Sequence, residues 1–150
     1  MKTRFLLLLM AFSSSLMAQP SFRPLIDSSA ACNPSRGHFF IVEEMPSPIR
    51  PLDETAKRLT QNVRFADKDQ DADKQIYVQC LVNCKGDAGD YQLTKCSDDL
   101  FDVGSQIIDI LRNDGIKWNP GKQRGRTVDV FIIFEISVRK GKFEIIGPVY

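Results

Sequence analysis

The chain has 150 residues, of which 43% are apolar and 26% are charged, a composition typical of one globular domain. Its 20 basic and 19 acidic residues nearly cancel, so there is no surplus of Lys and Arg to neutralise several phosphates, and we expect no nucleic-acid binding. The only histidine is His38, which leaves histidine-based catalysis a single candidate residue. We therefore expect a protein that is not an enzyme.

Residues 1–18 have the pattern of a secretory signal peptide. Two basic residues precede an apolar stretch that begins at Phe5, and Ala18 is a plausible cleavage point. The stretch from Phe5 to Ala18 is 14 residues long, whereas a membrane-spanning helix needs roughly 20. We expect cleavage and export into an oxidising space. A retained membrane anchor and lipid attachment at Cys32 are the alternatives.

The residue pattern after the signal peptide predicts an irregular N-terminal stretch, then a helix and then a loop. Residues 19–39 are rich in proline and serine without periodicity, so the folded unit is expected to begin near Phe40. Apolar residues at helical spacing predict a helix from Leu52 to Val63. The alternating aspartates of residues 67–73 lack the glycine and glutamate of an EF-hand loop, so we expect a solvated acidic loop.

The middle of the chain predicts a hairpin followed by a helix. Alternating apolar and polar residues from Gln75 to Asn83 indicate a strand with one buried face. Turn residues over 85–90 separate it from a second strand, Tyr91 to Cys96. A second helical face begins at Leu100 and ends before Gly115.

The most regular strand runs from Val128 to Val138. The element order predicts an α+β domain, an antiparallel three-stranded sheet with two helices packed on one face. Residues 40–139 carry this domain. Residues 140–150 form a tail in which Phe143 to Ile146 is a candidate for a fourth short strand that covers the sheet edge.

Four cysteines, an even number in an exported chain, favour disulfides, and three pairings are possible. Cys80 and Cys84 are four apart on a predicted strand, which separates them by about 13 Å and prevents a bridge. A hairpin centred near residues 86–89 would bring Cys96 opposite Cys80, although the alternation of faces opposes this pair. We predict a Cys80–Cys96 bridge and leave the partners of Cys32 and Cys84 open. No Cys-x-x-Cys spacing exists, so we expect neither a metal site nor a cofactor.

The stretch from Ile116 to Val128 contains Trp118, Pro120 and Gly121, followed by basic residues, Gly125 and the start of a valine-rich strand. It resembles the Trp-x-Pro-Gly pattern of the TonB C-terminal domain family, in the form of a stand-alone periplasmic energy-transducer-like protein. Independently of that resemblance, we expect Trp118 to be a core aromatic beside a turn.

The resemblance implies β-augmentation. Members of the family bind the TonB box, an extended segment of an outer-membrane transporter, by pairing it with the edge of the last strand. Carried over to this chain, the edge is Thr127 to Val138, with Phe131 and Ile133 pointing outward. The residues expected to contact the partner are Gln123, Arg124, Arg126, Val128, Val130, Phe131 and Ile133.

An exposed apolar edge favours aggregation, so we expect the tail to cover it and to compete with the partner. Residues 112–142 hold eight basic and three acidic residues, a local charge of +5 beside this edge. If the N-terminus is retained, the alternative function is an anchored energy transducer that works with an inner-membrane, proton-driven motor complex. A structural domain that forms homodimers through the same edge is the second alternative.

Overall fold

A computed structural model describes residues 31–32, 37–65, 73–96 and 100–149. The predicted signal peptide and most of the predicted acidic loop lie outside these residues. The elements in this part of the chain are β1 (Ser47–Pro48), α1 (Asp53–Asn62), β2 (Lys74–Val82), β3 (Ala88–Lys95), α2 (Phe101–Asp114), β4 (Trp118–Asn119), β5 (Lys122–Gln123), β6 (Arg126–Thr127), β7 (Val130–Arg139) and β8 (Lys142–Val149).

A four-stranded antiparallel sheet in the order β3–β2–β7–β8 forms the centre of the fold. The predicted α+β class is confirmed. The tail after Arg139 turns through Lys140 and Gly141, both with positive φ, and returns as an eight-residue strand. The tail is therefore a full member of the sheet and is longer than the short strand that the sequence predicted.

β7 lies inside the sheet, paired on both sides. β7 pairs with β2 on one side, from Lys74 opposite Val138 to Val82 opposite Val130. On its other side β8 pairs from Arg139 as far as Ile133. β7 is an interior strand because the tail occupies the edge that the resemblance assigned to a partner.

Both helices pack on the same face of the sheet. Asp53 and Glu54 occupy the first turn of α1, where the helix dipole favours acidic side chains. α2 ends at Gly115 in the left-handed conformation that commonly terminates helices. The fully buried side chains between helices and sheet include Leu59, Ile76, Val78, Val82, Leu100, Ile107, Leu111, Ile132, Phe134 and Ile136.

The two outer strands of the sheet are partly blocked against further pairing. β3 is interrupted by two register shifts, and Arg112 of α2 donates a hydrogen bond to the carbonyl oxygen of Tyr91 at 3.4 Å. In β8 the Phe143 N–H donates to the hydroxyl of Thr60 at 3.1 Å, and Pro148 has no N–H to offer. Bulges, proline and side-chain capping are common protections of edge strands.

Two small antiparallel pairs lie outside the main sheet: β1 with β4, and β5 with β6. Neither pair was predicted, because each strand has only two residues and therefore shows no periodicity. Within the residues that the structure describes, no helix has the length and apolar composition needed to cross a bilayer.

Substitution at Gly86 tests how closely the β2–β3 turn approaches Trp118. Gly86 has φ +82°, and a Cβ added there would lie 2.0 Å from the Trp118 carbonyl oxygen. We expect Gly86→Ala to lower the free energy of unfolding by about 3 kcal/mol, the sum of a left-handed backbone cost and overpacking. Urea unfolding followed by fluorescence of Trp118, the only tryptophan, measures the change.

Gly141→Ala is the matched control. Gly141 has φ +69° but no atom within 4 Å of an added Cβ, so only the backbone cost of about 1 kcal/mol applies. Equal losses for the two variants would contradict the close approach at Gly86.

Candidate functional site

The β5–β6 hairpin carries three of the residues that the resemblance assigned to partner binding. Gln123 ends β5, Arg124 is in the turn and Arg126 begins β6. Arg124 and Gly125 have φ of +51° and +70°, as expected for the two central residues of a tight hairpin turn. The hairpin therefore holds Arg124 and Arg126 at the surface, where both are exposed.

The Trp-x-Pro-Gly stretch positions this hairpin against the core. Trp118 is 1% exposed, and its ring centroid lies 5.4 Å from that of Phe134. A Cβ added to Gly121 would lie 2.6 Å from a methyl group of Val130, so glycine permits the loop to lie directly on β7. Trp118 and Gly121 thus have structural roles beneath the surface residues.

The remaining residues assigned to the partner lie along β7 and just before it. Val130 is fully buried in the core, and Val128 is half-buried against that core. Ile133 is half-buried and pairs with Val149 of β8. The side chains of these three residues support the fold, whereas the side chain of Phe131 is contacted by the rings of His38 and Phe40.

Residues 37–44, which we call the N-terminal segment, occupy the start of the β7 edge. The Phe39 N–H donates to the Asp129 carbonyl oxygen at 3.1 Å, and the Phe131 N–H donates to the Phe39 carbonyl oxygen at 2.8 Å. This parallel bridge between Phe39 and Val130 covers the part of the edge that β8 does not reach. Within the described residues, most of the edge predicted to receive a partner is therefore paired by β8 and by the Phe39 bridge.

Aromatic contacts strengthen this arrangement. Phe40 stacks on Phe131 with ring centroids 5.4 Å apart, and the ring of His38 lies 5.2 Å from the same side chain. Phe131, predicted to point outward from an open edge, is only 6% exposed, whereas Phe40 is 63% exposed and Ile41 79% exposed. The segment thus covers Phe131 and leaves Phe39, Phe40 and Ile41 of its own exposed.

The acidic end of the N-terminal segment contacts the hairpin. Glu44 and Lys122 exchange two backbone hydrogen bonds of 3.1 and 2.8 Å, and their side chains form an ion pair of 2.7 Å. The Glu43 backbone N–H donates to the side-chain oxygen of Gln123 at 3.1 Å. The Glu43 carboxylate accepts a hydrogen bond from the backbone N–H of Arg124 at 2.8 Å. Gln123 and Arg124, both assigned to an outside partner, are thus already engaged by the chain itself.

A disulfide between Cys32 and Cys84 fixes the chain before the N-terminal segment to the end of β2. The Asp129 carboxylate lies beside it and accepts hydrogen bonds from the Cys32 N–H at 2.9 Å and the Cys84 N–H at 2.8 Å. Asp129 is 7% exposed. Its position next to the valine-rich strand gave no sign of this role, because Cys32 is 97 residues away in sequence.

The predicted Cys80–Cys96 bridge is wrong, and both residues are thiols. The hairpin turns earlier than expected, with Val82 opposite Ala88 and Tyr77 opposite Lys95. Cys96 therefore lies beyond the strand end, about four residues along β2 from Cys80, which corresponds to about 13 Å. Cys80 lies opposite Ile132 in the core.

Comparisons with known proteins give no match: no family model, no curated protein and no solved structure is significantly similar to this chain. The geometry of the hairpin, the start of β7 and the N-terminal segment is therefore the basis for assigning a function.

Thiol labelling tests the cysteine arrangement. Burial raises the pKa of the Cys80 thiol, and nearby Asp90 raises it further. The reactive thiolate is therefore scarce at pH 8 and increases only as the pH rises. We expect iodoacetamide to modify half-buried Cys96 much faster than buried Cys80 in the folded, non-reduced chain, and peptide mapping to recover Cys32 linked to Cys84. Recovery of a Cys80–Cys96 peptide pair would contradict this arrangement.

Proposed function

We propose that this protein is a periplasmic TonB-like binding module that pairs with an extended segment of an outer-membrane transporter by β-augmentation, within TonB-dependent transport. The resemblance of the stretch from Ile116 to Val128 to the Trp-x-Pro-Gly pattern supports assignment to the TonB C-terminal domain family. The Cys32–Cys84 disulfide supports an oxidising compartment such as the periplasm.

The observation that carries the proposal is backbone pairing by the N-terminal segment at two separate points. Phe39 exchanges hydrogen bonds with the β7 edge, and Glu44 exchanges hydrogen bonds with Lys122 of β5. A surface built from these two edges can accept main-chain donors and acceptors from another segment in the same way. Backbone pairing supplies affinity with little demand on sequence, as β-augmentation requires.

The partner is expected at the position of the N-terminal segment rather than at that of β8. β8 pairs with β7 over seven residue pairs, and its Phe143 is 7% exposed and stacks with Phe65 at 5.5 Å. Exposing one such side chain costs about 2–3 kcal/mol before any hydrogen bond is lost. Phe40 and Ile41 are largely exposed already, and the N-terminal segment pairs with β7 through the single Phe39 bridge, so its departure breaks fewer strand pairings than departure of β8.

Local charge favours the same surface. Lys122, Arg124 and Arg126 lie on one short hairpin, in a region of net charge +5. Such a cluster attracts an acidic segment and speeds its encounter, an effect that weakens as salt increases.

Calorimetric titration of the full chain with a synthetic TonB-box peptide tests the proposal. Binding should depend on alternate backbone N–H groups, because only those facing β7 donate hydrogen bonds. N-methylation of two such groups should weaken binding by about tenfold or more. A peptide N-methylated at the two intervening residues is the matched control and should bind nearly as well as the unmodified peptide.

Failure of every TonB-box peptide to bind would overturn the proposal. A stable dimer in light scattering that does not respond to peptide would favour the dimerisation alternative. Truncation after Arg139 separates the two positions on β7: tighter binding by this variant would place the partner where β8 lies, contrary to the position proposed above.

A further inference from the structure

The docking surface consists of the β7 edge at residues 129–131 and the β5–β6 hairpin, both of which the N-terminal segment contacts. We propose that the N-terminal segment competes with an outside partner for this docking surface, and that the partner displaces it by supplying the same kinds of side chain. That chemistry is an aromatic ring for Phe131 and, a few residues later, at least two acidic residues for the β5–β6 hairpin. This inference rests on the proposed β-augmentation at the same surface and specifies the class of segment that binds there.

The aromatic requirement follows from Phe131. This side chain is on the sheet face away from the helices, opposite Leu81 of β2, and Phe40 and His38 are the rings that contact it. If the segment leaves, Phe131 becomes exposed unless the arriving chain brings a ring of its own. Stacked aromatic pairs contribute beyond the area that they bury, so a partner with an aromatic residue is preferred over one with a small side chain.

The acidic requirement follows from the hairpin. Glu43 and Glu44 supply two carboxylates to Lys122 and the turn, but the hairpin presents three cationic side chains. Among the described residues, no carboxylate forms an ion pair with the guanidinium group of Arg124 or Arg126. A partner with a third acidic residue therefore gains a contact that the chain's own segment does not provide.

The cost of displacement defines one more feature of the partner. Val42, between the two paired points, is 8% exposed and belongs to the core, so full displacement removes an aliphatic side chain from its site. A partner with an aliphatic residue just before its acidic pair replaces that contact. The preferred segment thus has the order aromatic, aliphatic, acidic, acidic, with one residue permitted between the first two and a third acidic residue near the acidic pair.

The Cys32–Cys84 disulfide acts as a short tether for the competitor. Cys32 is only five residues before Gly37, so a displaced segment stays close to its site. A short tether gives an effective concentration of about millimolar. This competition lowers the affinity of the wild-type chain for an outside segment. Any substitution that weakens the contacts of the N-terminal segment should therefore raise that affinity.

The test uses a fluorescent synthetic peptide of residues 37–46 of this chain and an analogue with glutamine in place of both glutamates. The wild-type full chain should bind the glutamate peptide more tightly than the analogue, by up to about fivefold for each carboxylate, and the difference should shrink at high salt. The E43Q/E44Q chain, in which the competitor is weakened, should bind the glutamate peptide more tightly than the wild-type chain.

Two further variants locate the effect. E54Q/E144Q removes two exposed carboxylates that lie away from the docking surface. This variant should bind the glutamate peptide as tightly as the wild-type chain does. K122Q should reduce the preference for the glutamate peptide, as a double-mutant cycle requires if Lys122 and the peptide carboxylate interact. Circular dichroism confirms that each variant is folded before binding is measured.

Equal binding of the glutamate and glutamine peptides to the wild-type chain would overturn the inference, as would unchanged binding by E43Q/E44Q. Failure of TonB-box peptides while the glutamate peptide binds as described would overturn the transporter assignment and leave this inference supported. Binding of TonB-box peptides without any preference for acidic residues would overturn this inference and leave the proposed function supported.

Discussion

The fold depends on backbone hydrogen bonding along both sides of β7, an interior strand of the sheet. An interior strand has donors and acceptors on both sides, and unpaired backbone groups in a buried strand are costly. β2 satisfies one side over nine residue pairs. The other side has two hydrogen-bonding partners: β8 from Ile133 onward and Phe39 at the beginning of the strand. Pairing with β7 therefore fixes the positions of two segments that are far apart in sequence, Phe39 and β8.

The pairing of β7 limits where on this strand a partner can bind. The resemblance places a partner on the edge of β7, but in the described part of the chain β8 and Phe39 pair most of that edge, which protects against the aggregation that an exposed strand invites. Protection is unequal along β7. β8 contributes seven residue pairs and a buried phenylalanine, whereas the N-terminal segment contributes one bridge to β7, a ring stacked at the surface, buried Val42 and two acidic contacts. The segment is held near its site by a disulfide, so it can yield its contacts without leaving the domain.

The main elements were predictable from sequence because each has enough residues to show a period. Helical spacing located α1 and α2, Gly115 marked the end of α2, and alternation located β2 and β7 within two residues of their observed bounds. The cysteine pairing was not predictable, because a hairpin centre displaced by about three residues moves Cys96 away from Cys80, and Cys32 follows a stretch without periodicity. The contacts of Phe39 and Glu44 were missed for the same reason: each rests on a single bridge with no repeating pattern.

Residue-specific amide hydrogen exchange, with and without a saturating partner peptide, tests the central claim most directly. In the free chain the amides of Phe39, Phe131, Glu44 and Lys122 each donate a backbone hydrogen bond and should exchange slowly. With the partner bound, Phe39 and Glu44 should exchange faster, because the segment has left, while Phe131 and Lys122 stay protected by the partner's carbonyl groups. Continued protection of Phe39 and Glu44 in the complex, with faster exchange in β8 instead, would contradict the account.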